Sequence, residues 1–68
     1  MITNDQELQT TLARISWFQN QVAQLRRSEA NADNFHASSS GFLSELDRMQ
    51  RTVREYLSHH PAELQEAA

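Results

Sequence analysis

The chain has 68 residues, a formal charge of −3 and no cysteine. That length allows one domain at most, and the missing cysteines exclude both disulfides and thiolate metal sites. An excess of nine acidic over six basic residues argues against a surface built for phosphate backbones or anionic membranes.

The first expected element is a helix over residues about 4–30. Thr3 and Asn4 both carry a capping oxygen, and Gln6 and Glu7 stand three residues beyond them, which is capping-box spacing. Asp5 and Glu7 then lie where the helix dipole favours negative charge. The apolar stripe is Leu8, Leu12, Ile15, Phe18, Val22 and Leu25, and its extra short step at Phe18 shifts the heptad frame. Trp17 falls outside this stripe, on the side of Ala13. It reads either as an anchor for a partner or as a residue partly or fully buried, under the connection near Phe35 or in a dimer interface.

A connection is expected over residues about 31–40, "NADNFHASSS", because Asn, Asp and Ser side chains bond nearby backbone and favour turns and caps. Phe35 is its one large apolar residue and is expected to fold back onto the helices. Ser38, Ser39 or Ser40 then caps a second helix over residues about 41–60. Its seam is Phe42, Leu46, Met49, Val53 and Tyr56, a seven-residue repeat held for two cycles. Leu43 and Leu57 broaden that seam. Asp47 with Arg51, and Arg51 with Glu55, have the spacing of ion pairs on a solvated outer face. Pro61 ends the helix, and residues 61–68 are expected to add one short turn and a frayed tail.

One glycine and one proline leave little room for hairpin turns, so the fold class is all-α: an antiparallel helical hairpin of one domain, 1–68. Each stripe spans roughly 140°, wider than one partner helix covers. Below about 70–80 residues a single core rarely supplies more than about 3–5 kcal/mol. Both points favour a homodimer closing into a four-helix bundle, with the two stripes as its self-association seam.

Two clusters carry a sharper reading. Arg48, Arg51 and Arg54 recur every three residues, as a ribbon able to follow phosphates or as part of a surface ion-pair mesh with Glu45, Asp47 and Glu55. The net charge favours the mesh. His36, His59 and His60 do not have the spacing of a metal site, so no metal or cofactor is expected. Nothing in the sequence resembles a nucleophile motif, a phosphate-binding loop or a zinc-protease helix, and an enzyme is not expected. No apolar run approaches the ~20 residues of a membrane span, and the first residues lack the pattern of a signal peptide, so a cytoplasmic protein is expected.

The opening "MITNDQELQTTLARISWFQNQVAQL", through Met1 to Asn4, Phe18, Ala23 and Leu25, resembles the N-terminal helical stretch of some bacterial helix-turn-helix regulators of the antitoxin type. The resemblance covers about a third of the chain. It implies a bacterial origin and the assembly half of a regulator, without the DNA-binding domain. The expected function is therefore a small self-associating interaction module, an antitoxin-like or regulatory partner. The alternative is a nucleic-acid-binding accessory protein.

Overall fold

The computed structural model describes residues 1–63 and contains two long helices, α1 (Asp5–Ser28) and α2 (Ala32–Leu57), packed against each other. Its cross-section of 17 by 13 Å is two helices wide and one deep. Each helix therefore has one neighbour and two open sides.

α1 starts where the capping residues place it. Asn4 is extended, and its side chain accepts the N–H of Glu7 at 2.8 Å. Glu7 reaches back one residue beyond the cap and accepts both the backbone N–H of Thr3, at 2.8 Å, and the Thr3 hydroxyl. The Glu7 N–H, one of the donors that a helix start leaves free, is thereby satisfied, and Glu7 ties down the residue ahead of the cap. Ile2, which precedes the cap, folds back and joins the buried cluster.

The turn between the helices is three residues long and earlier than the sequence suggests. α1 stops at Ser28, where Glu29 turns extended, and Asn31 caps α2 by accepting the N–H of Asn34 at 3.1 Å. Residues 32–40 are thus the first turns of α2 and not a connection, and Ser38, Ser39 and Ser40 lie inside the helix, not at its cap. The physical reason is that nothing in 32–40 breaks a helix. Serine costs only a few tenths of a kcal/mol there, while Asn31, with Asp33 in the first turn, supplies a complete start signal. The Phe35 ring lies half-buried on the first turn, edge-on to His36 at 5.4 Å.

The reversal sets an antiparallel register in which Phe18 meets Phe42, with ring centroids 5.6 Å apart, and Asp5 meets Tyr56. Between those contacts the core is short: Ile2, Leu8, Ile15, Leu46, Met49 and Val53 are buried, with Phe18, Val22 and Tyr56 packed on them. Ser39 is also wholly buried and its hydroxyl has no hydrogen-bond partner. α2 closes at Ser58, whose hydroxyl donates to the Glu55 carbonyl at 2.6 Å. Residues 61–63 begin a further helical turn, with the Ala62 N–H donating to His60 Nδ1 at 3.0 Å. The rest of the expected tail, residues 64–68, lies outside the described residues.

Gly41 sits in the interior of α2, exposed, and a Cβ built there meets nothing within 4 Å. Its backbone is not left-handed, so the glycine is not required by conformation. Gly41→Ala is expected to stabilise the fold by about 0.8–1 kcal/mol through helix propensity alone. In a domain of this size that raises the thermal midpoint by about 4–8 °C, measurable by circular dichroism.

Candidate interaction surface

The seam residues divide into three groups. Leu8, Ile15, Leu46, Met49 and Val53 are buried between the two helices of the hairpin itself. Phe18, Val22, Leu25, Phe42 and Tyr56 are half-buried. Leu12 stays 39% exposed, although it shares the stripe of Leu8 and Ile15. Ile2 completes the core and stands outside the expected seam. The one signal for it was position: an apolar residue just ahead of a helix cap commonly packs back on the first turn.

Leu12 is exposed because it leans to one side of the helix–helix contact. On that side lies an open groove lined by Leu12, Ile15, Val53 and Leu57, with Gln50 and Arg54 along its edge. Leu57 is 63% exposed and Leu43, fourteen residues earlier on α2, is 44% exposed. Residues 43, 50 and 57 are spaced by seven and share one stripe at ~100° per residue. Three leucines from two helices therefore border one uncovered side of the hairpin.

Three aromatic residues, Trp17, Phe18 and Phe42, gather toward the opposite side. Trp17 sits 5.2 Å from the Phe18 ring and 6.4 Å from the Phe42 ring, and about half of it remains exposed. At ~100° per residue it points about 140° away from Leu12. Its neighbours are therefore the paired phenylalanines of α1 and α2.

The charged residues follow a different pairing from the one their spacing suggested. Arg48 makes a two-pronged contact with Glu45, with Nε–Oε2 and Nη2–Oε1 distances of 2.8 and 2.9 Å. His59 Nδ1 also lies 3.8 Å from Glu63 Oε2. Neither Asp47–Arg51 nor Arg51–Glu55 forms. Arg48, Arg51 and Arg54 turn by ~60° at each step, so they spread over about 120° of the surface instead of forming a line. Arg48 is engaged by Glu45 and Arg54 edges the leucine groove. His36, His59 and His60 gather no further ligands: among the described residues no group of three or more His, Cys, Asp or Glu side chains is placed to hold a metal.

At the open end of the hairpin the Tyr56 hydroxyl donates to Asp5 Oδ1 at 2.7 Å, a side-chain bond that ties α2 to the start of α1. That bond, with desolvation and the negative charges of Asp5 and Glu7, pushes the phenol above its ordinary value. Close by, the hydroxyl and backbone N–H of Thr3 hold the Glu7 carboxyl below its ordinary value. The two shifts act at opposite ends of the pH scale. A raised folded value means that the Tyr56 contribution is complete below the ordinary phenol range and is lost as pH rises through the raised value. A lowered one means that the Glu7 contribution is complete above the ordinary carboxylate range and is lost as pH falls through the lowered value. Thermal melts taken from neutral to alkaline pH are expected to show a decline in stability that Tyr56→Phe removes, while both proteins keep the same acid limb.

No protein-family model, curated protein or solved structure matches the chain. No helix among the described residues is long and apolar enough to cross a membrane. The chain is thus a small all-helical unit of two packed helices, without a metal-binding cluster among its described residues.

Proposed function

We propose that the protein is a small non-enzymatic, cytoplasmic interaction module that self-associates, two hairpins closing into a four-helix bundle, and that serves as an antitoxin-like or regulatory partner. The observation that carries this reading is the groove of Leu12, Ile15, Val53 and Leu57, with Leu43 exposed on the same side of α2. Six buried apolar side chains among the described residues are a meagre core for two helices of 24 and 26 residues. Isolated helical hairpins of this size gain most from covering their second apolar side. A second copy does so with crossings near 20°, as in other four-helix bundles. The exposed half of Trp17, on the far side, is left for a further protein partner.

The nucleic-acid reading draws less support. Arg48 is already engaged by Glu45, the three arginines do not align, and the net charge is −3. Binding to phosphates would have to overcome all three.

Sedimentation equilibrium tests the proposal. The expected mass is about twice the 7.8 kDa of one chain. A monomer that unfolds cooperatively at high temperature would remove the need for a second copy.

A further inference from the structure

The uncovered leucine side has a geometry that repeats on itself. Leu43 and Leu57 are each seven residues from Gln50, one before it and one after. Leu43 projects as an exposed knob, while Leu57 borders the groove floored by Ile15 and Val53. Knob and groove are thus on one stripe of one helix, about 21 Å apart at 1.5 Å per residue. A surface carrying both a projection and its receptacle is suited to an isologous contact, in which each copy supplies the same two features.

The charges beside this stripe obey the same symmetry. Asp47 lies three residues before Gln50 and Arg54 four after it, on the same edge of α2. Neither takes part in an ion pair among the described residues. Turning a second α2 antiparallel about Gln50 sets Asp47 of each copy beside Arg54 of the other. A parallel arrangement would instead set Asp47 level with Asp47 and Arg54 level with Arg54, and it would leave Leu43 level with Leu43, far from the groove. Like charges held together across an interface cost free energy, and opposite ones set the register.

We infer that the partner on this side is a second copy of the chain, docked antiparallel through α2 about a two-fold axis beside Gln50, so that Leu43 of each copy enters the groove of Leu12, Ile15, Val53 and Leu57 of the other. The inference rests on the self-association proposed above and adds its orientation and register. The two α1 helices then face each other across the same contact through Leu12, closing the four-helix bundle, and the Trp17 side of each hairpin remains outside it.

Cysteine cross-linking of the full chain tests the register, because the protein has no cysteine of its own. Under a mild oxidant Gln50→Cys is expected to form a covalent dimer. Leu43→Cys alone and Leu57→Cys alone are expected to form none, since identical positions lie about 21 Å or more apart across the axis. Their equimolar mixture is expected to yield a mixed dimer. Asp47→Arg is expected to weaken association about tenfold or more by facing Arg54 with a like charge. The double exchange of Asp47→Arg with Arg54→Asp is expected to restore it, and helicity is expected to stay unchanged because both side chains are exposed. A dimer in sedimentation whose Leu43→Cys variant cross-links to itself would overturn the antiparallel register and leave self-association standing. A dimer indifferent to Asp47→Arg would remove the charge argument and with it the register. A monomer at every concentration would overturn the docking and the self-association together.

Discussion

Leu46→Asp is expected to abolish the fold. Leu46 is 6% exposed, the least exposed of the apolar core, and lies among Met49 and Val53 on α2. A carboxylate placed there has no basic partner within the cluster, and burying it uncompensated costs several kcal/mol. A single core of this size supplies no more than about 3–5 kcal/mol in total. The loss therefore exceeds what the hairpin holds in reserve: far-UV circular dichroism is expected to show collapse of helicity, and sedimentation the loss of the proposed dimer. Arg51→Ala provides the contrast. Arg51 is exposed and makes no ion pair among the described residues, so the change is expected to stay within ~0.5 kcal/mol. Equal effects from the two substitutions would mean that the buried and solvated faces of α2 are assigned the wrong way round.

Leu46 also shows how much of this fold was legible beforehand. The strict seven-residue spacing from Phe42 to Tyr56 placed the inner face of α2, because period alone decides which side of a helix is apolar. Asn4 and Glu7 likewise marked the start of α1, since a cap is a local signal read over four residues. The turn was harder. Asn31 and the serines at 38–40 both carry capping oxygens; the absence of a breaker in 32–40 lets the helix start at Asn31, and the register that results, Phe18 against Phe42, goes with that early turn. That register is a property of two segments together and does not appear in either one.

The same distinction applies to the surface. Periodicity placed Leu12 with Leu8 and Ile15, and on the helix it does share their stripe. Whether a stripe residue is covered depends on where the neighbouring helix lies, and α2 leaves Leu12 at the edge. Ion pairs behave similarly: Arg48 and Glu45, three apart, meet, while the four-apart pairs around Arg51 do not. Such exposed contacts differ by only a few tenths of a kcal/mol, so spacing alone does not choose among them.

Trp17 is where local pattern and tertiary packing meet most directly. Its place outside the apolar stripe left burial and exposure both open, and the structure gives an intermediate: contact with Phe18 and Phe42 on one side and solvent on the other, with 54% of the residue exposed. A fully buried tryptophan replaced by alanine costs about 3–5 kcal/mol, so a half-covered one is expected to cost about 1.5–2.5 kcal/mol. Tilted and edge-on contacts with two phenyl rings add to the area term, which favours the upper end. Thermal or urea unfolding of Trp17→Ala measures this directly. Because Trp17 faces away from the leucine groove, the same variant is expected to keep the proposed dimer at concentrations where it is folded. In the parent protein a polar quencher is expected to reach the indole even in the proposed dimer. A Trp17 that becomes accessible only on dilution would instead place it inside the contact between copies, and the two hairpins would then meet through their aromatic sides.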